Sequence, residues 1–500
     1  MFSNNLLNVA WHKIVYFLIL ILPFNHLLTQ VLNYYFKIPQ TITLYKEFLF
    51  IVLILIMLFQ VIQSLTKNNS ESKVNNILSH SILKTSLIPI ISLISLLFFG
   101  LISTLRANLS LKYWLLGFRV ELLWVCLLGV GIIWIKQIKP QIQIQKILDY
   151  TKLSYLGVLG IAIFSNIVGI EKFYNILGFQ NGWESDGLVL ESPICHGFGV
   201  DGVCRLTAGF STPNNLAGYL LLVLPVLVII YNQNKKIRSR KLWNLFLIVS
   251  CLACIYLTYS RFALLALGLG GLWFLKNYFY NHFYSKTRLY KVSNIFNKIN
   301  RILNWGLLLM PIGFLVIFLQ LVSNTGLINN LPPSISRLGS SNGHYKLTSL
   351  SVEVISTRFS SLILQGYGLS QTGPIAKPQY QDVLNTKFVL ENQNLANKYS
   401  LPAYEISIPE NWYLQMWLNG GLVYLIAFLV LLSNGLWPLF NSRSMNQNSS
   451  LFDYKLFLVI SIFMICVGNL FLHIWENPVI TFYFTIWVLV INVTKTNDLT

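Results

Sequence analysis

Three arginines at the ends of apolar stretches are the first residues that suggest chemistry. Arg205 precedes one stretch, Arg261 lies between two stretches with almost no loop, and Arg358 lies on a candidate helix in a long polar segment. Arginine keeps its charge and presents a planar fork of donors that suits phosphate and carboxylate oxygens. A charge beside hydrophobic stretches is costly and usually functional, although such an arginine can also extend to lipid headgroups. Anion binding and headgroup contact both stay open.

The long polar segment, 323–410, ends in a second set of candidates, Pro409-Glu410-Asn411-Trp412-Tyr413-Leu414-Gln415. The carboxylate of Glu410 has the chemistry of a general base, or it can simply face solvent or interact with the dipole of the helix that follows. Trp412 and Tyr413 have two interpretations, as aromatic residues of the membrane interface or as a surface for stacking a sugar.

Long apolar stretches must position these residues. The chain has 500 residues, of which 55% are hydrophobic and 11% charged. Apolar runs of about 18–22 residues recur, and each is long enough to cross a bilayer as a helix. The sequence predicts an all-α polytopic membrane protein, a single domain over 1–500 with about twelve spans at 14–32, 47–65, 86–105, 114–135, 151–170, 211–231, 242–259, 262–280, 303–322, 411–433, 456–472 and 477–493.

The net charge of +19 is distributed along the chain in a way that indicates topology. Alternate loops are rich in lysine and arginine, which is the positive-inside pattern, and the bilayer rather than nucleic acid is the expected partner. We expect both termini in the cytoplasm and a retained first span, since no small-residue cleavage site follows it.

Two segments are expected on the external side, at 171–210 and at 323–410, the second before the last three spans. Residues 348–364 predict a short amphipathic helix along the membrane surface. Cys195 and Cys204 share the first segment, in an oxidising compartment, and are a candidate disulfide pair. No His, Cys, Asp or Glu cluster has metal-ligand spacing, so the sequence predicts neither metal nor cofactor.

The candidate residues belong to four short motifs that follow one another along the chain. They are Arg205 to Tyr219, with the core Pro213-Asn214-Asn215-Leu216-Ala217-Gly218-Tyr219; Tyr259-Ser260-Arg261-Phe262-Ala263-Leu264-Leu265; Thr357-Arg358 with Leu364-Gln365-Gly366-Tyr367-Gly368; and Glu410 to Gln415 with Gly420-Gly421-Leu422. Together with the long loop before the last three spans, they resemble the bacterial O-antigen ligase and O-antigen polymerase superfamily. The resemblance covers about 200–430. In the N-terminal third, only the topology is similar.

The resemblance implies a metal-independent glycosyltransferase of the bacterial inner (plasma) membrane, acting in cell-surface polysaccharide or lipopolysaccharide assembly. Such an enzyme moves a glycan from undecaprenyl pyrophosphate to a hydroxyl of a lipid or glycan acceptor on the periplasmic face. The implied site residues fall into three groups: Arg205, Arg261 and Arg358 for the pyrophosphate, Glu410 and Asn411 for catalysis, and Trp412, Tyr413 and Gln415 for acceptor or sugar contacts.

The chain departs from the family at Glu410, where the family has a histidine. Glu410 is therefore either the base or the mark of another reaction. Two further functions stay open: a transporter of a small anion such as bicarbonate, and a non-catalytic component of polysaccharide assembly. For a transporter, Arg119 and Glu121 are the main charged residues inside spans. Near the outer end of a late span, His473 and Glu476 are close enough in sequence to approach the same place.

Overall fold

The computed structural model describes residues 4–38, 44–70, 76–179, 204–233, 238–286, 339–373, 386–399, 401, 406–407, 409, 411–440, 450–470 and 472–493. Regular secondary structure in these residues is helical. Seven of the helical stretches are long and apolar enough to cross a membrane, and four shorter apolar helices accompany them. The prediction of a helical membrane protein is confirmed. The number of about twelve spans stays a prediction, and the span at 303–322 lies outside the described residues.

The first part of the chain forms long helices joined by short connections. They are α1 (Asn4–Ile21), a 3-10 turn (Leu22–Phe24), α2 (Asn25–Phe36), α3 (Tyr45–Ser70), α4 (Asn76–Arg106), α5 (Leu111–Gly117), a π-helical turn (Phe118–Leu122), α6 (Leu123–Ile138), α7 (Ile144–Val168), α8 (Ile170–Ile176), α9 (Pro213–Gln233), α10 (Arg238–Leu257) and α11 (Arg261–Lys286).

The second part combines loop helices with the last apolar helices. They are α12 (Gly339–Thr357), α13 (Lys387–Tyr399), α14 (Trp412–Gly420), α15 (Leu422–Phe440), α16 (Ser450–Gly468), a 3-10 turn (Ile474–Glu476) and α17 (Pro478–Val493). The predicted span at 411–433 is thus two helices. Gly421 separates them with φ of 91°, a conformation that glycine adopts without strain.

Helix α3 shows why these helices suit a membrane. One face carries Leu53 and Met57, which are buried against other helices, while Leu55 and Phe59 on the other face are 58% and 50% exposed. In a soluble protein the outer face of such a helix is polar. Two apolar faces indicate that lipid covers the outer one.

The centre of the bundle is formed by helices that are buried all round. In the spans that contain α6 and α9, 78% of the apolar window is buried, against 28% in the span of α10. Helix α17 is buried continuously from Val479 to Ile491. These three helices form the axis on which the candidate site is built.

Contacts between helix ends define the two ends of the bundle. At one end Arg106 donates to Gln365 of the long loop at 3.1 Å, so we name it the loop end. At the other end the Nζ of Lys152 donates to Asn244 at 2.9 Å, and we name it the opposite end.

Part of the long polar segment forms a second small core at the loop end. Leu350 and Val354 of α12 pack with Phe388 of α13 and with Leu418 of α14. The helix predicted at 348–364 is observed to end at Thr357, and turns follow it. Since its apolar side is buried against protein, α12 docks on the bundle.

Candidate functional site

Arg205 and Arg261 lie together at the loop end of the bundle. The Nε of Arg205 donates to the carbonyl of Thr258 at 2.8 Å, and its Nη2 donates to Oδ1 of Asn214 at 3.1 Å. Burial lowers the pKa of the Arg205 guanidinium, and the nearby charge of Arg261 lowers it further. Two guanidinium groups that repel each other form a place where an anion gains from both.

A tight connection between α10 and α11 sets the position of Arg261. Tyr259 adopts φ of 48°, which is a left-handed conformation that costs about 1–2 kcal/mol in a residue other than glycine. Ser260 then donates through Oγ to Asn214 Oδ1 at 2.8 Å, so the same amide oxygen holds both the turn and Arg205.

Arg261 is the first residue of α11, and its side chain is exposed. A cation at this position is opposed by the positive end of the helix dipole, typically by about 0.3–1 kcal/mol. Within the described part of the chain its guanidinium has no hydrogen bond or ion pair to offset that cost. A helix N-terminus and a cation together favour an anionic ligand.

The start of α11 packs on the end of α16, and the residue after α16 contacts the start of α14. Phe262 packs at Gly468, where an added Cβ would stand 3.0 Å from the phenyl ring. The following residue, Asn469, accepts a hydrogen bond at 3.1 Å through its carbonyl from the backbone N–H of Trp412. Two short contacts therefore connect the residue after Arg261 with the first residue of α14.

Asn411 has a structural role that its position explains. It is the N-cap of α14, since its Oδ1 accepts from the backbone N–H of Leu414 at 3.0 Å. Its Nδ2 donates to the carbonyl of Leu470 at 2.8 Å, and the side chain is fully buried. Asn411 thus joins α14 to the connection after α16. Glu410 lies outside the described residues, and its role stays a prediction.

Gln415 joins two carboxylates that are far apart in sequence. Its Nε2 donates to Oε1 of Glu121 at 3.2 Å and to Oε1 of Glu476 at 2.5 Å. Glu121 is fully buried, whereas Glu476 is half-buried at the end of a 3-10 turn. The side-chain amide of Gln415 holds the carboxylate of Glu476 in one orientation, and a general base requires such a fixed orientation.

Glu121 is held by more than Gln415. Its Oε1 also accepts from Nδ2 of Asn419 at 2.7 Å. Asn419 in turn accepts from the hydroxyl of Thr372 at 2.7 Å. Glu121 itself lies on the π-helical turn Phe118–Leu122, and such turns are frequent at functional sites because they redirect side chains within a helix.

A segment of the long polar loop, residues 366–373, inserts between α4, α5 and α14. The N–H of Tyr367 donates to the carbonyl of Leu418 at 2.7 Å, and that of Gly368 donates to the carbonyl of Asn419 at 3.0 Å. Non-helical backbone is tolerated at membrane depth only where protein satisfies its polar groups. The segment belongs to the stretch 323–410 that was predicted to be external, and the structure buries it against the site.

Glycine is required where this inserted segment meets Gln415. Gly373 has φ of 96°, and an added Cβ would lie closer than 3.0 Å to the Gln415 amide. The loop therefore closes over the group that positions Glu476.

Arg358 does not share a described contact with Arg205 or Arg261. It forms an ion pair with Glu391 of α13, and its Nη2 donates to the Glu391 carbonyl at 3.1 Å. Its guanidinium also lies 5.9 Å from the ring of Tyr367. These contacts join α12, α13 and the inserted segment.

The aromatic residues of the motif are packed inward. Trp412 is fully buried, with ring centroids 4.8 Å from Trp475 and 4.7 Å from Phe428. Tyr413 is half-buried and donates to the carbonyl of Cys466 at 3.1 Å. In this structure the ring of Trp412 has no face open to a sugar.

A cavity of about 850 Å³ lies beside the residue that precedes Arg205. Cys204 is one wall, and Gly169, Glu171 and Lys172 are among the others. Cys204 takes part in a disulfide bond. Cys195 lies outside the described residues, so the predicted pairing stays a prediction.

No family model and no curated protein matches this chain.

Sequence reasoning missed the role that Glu121 has in this site. Glu121 was considered only as a charge for a transport path, although a carboxylate alone in an apolar span is itself a signal of function. Its contact with Gln415 spans 294 positions, and no local pattern predicts it.

Proposed function

We propose that this protein is a membrane glycosyltransferase of the O-antigen ligase or polymerase type. It would move a glycan from undecaprenyl pyrophosphate to a hydroxyl of a lipid or glycan acceptor. The observation that carries the proposal is the pair of guanidinium groups of Arg205 and Arg261 at the loop end, where the end of α16 links the start of α11 to the start of α14. Its location would be the bacterial plasma membrane, with the loop end facing the periplasm, as the distribution of lysine and arginine indicates.

The chemistry follows from the charges that change. The acceptor oxygen attacks the anomeric carbon, and the bond from that carbon to the pyrophosphate oxygen breaks. The departing pyrophosphate takes the electron pair and gains negative charge, which Arg205 and Arg261 stabilise. Thr258 and Asn214 hold the guanidinium of Arg205, and a fixed donor near a low-dielectric interface stabilises such charge more than water does, because it need not reorient.

The proton of the acceptor hydroxyl requires a base. Glu476 is the described candidate, since Gln415 of the predicted catalytic motif fixes the orientation of its carboxylate. Glu410 is the base that the resemblance indicates, and it lies next to Asn411. Replacing each by glutamine removes a base while keeping its size, so the variant that loses more activity identifies the base.

Arg358 takes a different role in this proposal. Because Glu391 already pairs with its charge, Arg358 positions the loop over the site. The pyrophosphate is then bound by Arg205 and Arg261. A double change of Arg358 and Glu391 to a neutral pair would then cost less activity than Arg261→Ala.

The test compares two arginines that occupy the same helical position at opposite ends of the bundle. Arg261 begins α11 and Arg238 begins α10. In cells that lack the native gene, Arg261→Ala is expected to reduce polymer or ligated glycan about 10²–10³-fold at matched protein level, the usual effect of removing one such donor. Arg238→Ala is expected to retain it. Equal, undiminished glycan in both variants would refute the site.

A transporter of a small anion is the second candidate, and the two charged residues inside one span, Arg119 and Glu121, are the observation that favours it. Their contacts oppose that role. Gln415 and Asn419 bind Glu121, and Arg119 pairs with Glu47 at 2.7 Å. Uptake of labelled bicarbonate into proteoliposomes that depends on Glu121 would replace the glycosyltransferase proposal with this one.

A further inference from the structure

A polar cavity of about 380 Å³ opens at the opposite end of the bundle from the site described above. It lies between the start of α7, the end of α9 and the start of α10. Its lining includes Asp149 and Lys152 of α7 and Arg240 and Asn244 of α10. Pockets of this size are at the small end of those that bind ligands.

The cavity has an excess of positive charge. Lys152 and Arg240 lie close enough to repel each other, and Asp149, the acidic residue of the lining, attracts Lys152 more strongly than Arg240 repels it. One Asp149 oxygen already accepts from Gln145 at 3.2 Å. Arg240 is exposed and makes no ion pair within the described ranges. The arrangement leaves a guanidinium and an ammonium facing one space, which favours an anion between them.

The rim of the cavity is apolar and faces outward. Trp243 lines the cavity and is 49% exposed, and its ring stacks on Phe246, which is 50% exposed, at 5.4 Å. Val249, one turn further along the same helix, is 57% exposed. The outward face of α10 therefore continues from the polar cavity into the surface that lipid covers.

We propose that this cavity binds the phosphate of an anionic phospholipid, with the headgroup between Lys152 and Arg240 and an acyl chain along Trp243 and Phe246. A soluble phosphate would use the two cations but not the aromatic face. A zwitterionic lipid would contact the aromatic face of Trp243 and Phe246 but would be attracted less by the two cations. The combination fits an amphiphile with a net negative headgroup.

The experiment measures phospholipid bound to the purified full-length protein by native mass spectrometry. The probes are phosphatidylglycerol, phosphatidylethanolamine and glycerol phosphate. Arg240→Gln is expected to lower occupancy by phosphatidylglycerol about fivefold or more, the equivalent of about 1 kcal/mol for one cation. The matched control is Lys241→Gln, which removes the same charge from a neighbouring residue that lies 5.3 Å from the ring of Tyr231.

The outcomes separate the alternatives. Selective binding of phosphatidylglycerol that Arg240→Gln weakens and Lys241→Gln spares supports the site. Equal loss in both variants would mean diffuse attraction to the membrane surface and would overturn it. Equal binding of phosphatidylethanolamine, or an affinity for glycerol phosphate equal to that for phosphatidylglycerol, would also overturn it. Should Arg240→Gln fail to fold, Trp243→Ala tests the same proposal, with weaker lipid binding expected while glycerol phosphate binding is unchanged.

Discussion

Gly366 lies where the inserted loop segment touches the backbone of α14, and its replacement by alanine tests how the site is closed. An added Cβ would lie closer than 3.0 Å to the carbonyl groups of Leu418 and Asn419. Backbone atoms of a buried helix cannot move aside as a flexible side chain can, so the loop segment itself must shift.

The shift breaks two hydrogen bonds that the structure places on either side of the contact. They run from Tyr367 N to Leu418 O at 2.7 Å and from Gly368 N to Asn419 O at 3.0 Å. Each donor left buried without a partner costs about 1–3 kcal/mol, so two such donors cost about 4 kcal/mol at the midpoint of that range. Gly366→Ala is therefore expected to destabilise the docked loop by about 4 kcal/mol.

Thiol labelling reports this loss locally. Ser370 is fully buried, so a Ser370→Cys reporter in a background without the four free cysteines should react slowly with maleimide. A loss of about 4 kcal/mol raises the labelling rate about 10³-fold when opening is fast. The control is Gly160→Ala, since an added Cβ there meets no atom within 4 Å and a helical position gains stability from alanine. Slow labelling in Gly366→Ala would refute the inserted position of the loop.

Three further predictions concern the supports of the site. Asn411→Ala should lower the stability of the folded protein by about 1–2 kcal/mol in chemical unfolding, because the N-cap of α14 is lost. Glu353 accepts hydrogen bonds from Lys398 and Tyr399, which lower the pKa of its carboxyl. Its contribution to the free energy of unfolding is therefore present above about pH 4.3 and is lost as the pH falls through the lowered pKa. Unfolding of Glu353→Gln should lack this acid-dependent component, and a wild-type acid response in this variant would contradict the assignment. Tyr259→Val should destabilise the protein more than Tyr259→Gly in thermal unfolding, because β-branched residues tolerate positive φ poorly. Equal losses would indicate that the turn is not strained.

The helical membrane fold was predictable because length and hydropathy act locally. A run of about 20 apolar residues must satisfy its own backbone in lipid, whatever surrounds it. The seven long apolar stretches all fall on predicted spans. The break at Gly421 was not predicted, since it depends on the close contact of that residue with the backbone of Gln365.

The site was predictable only in part. Arg261 between two apolar stretches identified the turn between α10 and α11, because a short connection with a charge is visible in the sequence. The hydrogen bonds from Gln415 to Glu121 and Glu476 were not visible, since they join residues that three-dimensional packing alone brings together. The inserted segment 366–373 has glycines that look like ordinary turns, and its burial depends on α4 and α14.

The most direct measurement is the release of undecaprenyl pyrophosphate by the purified protein in lipid nanodiscs. The substrate is the lipid-linked glycan extracted from cells that lack the gene, supplied with membranes that contain the acceptor. The proposal predicts release coupled to glycan on the acceptor, reduced about 10²–10³-fold by Arg261→Ala and unaffected by Arg238→Ala. No release by the wild-type protein, or equal release by the wild-type protein and Arg261→Ala, would contradict it.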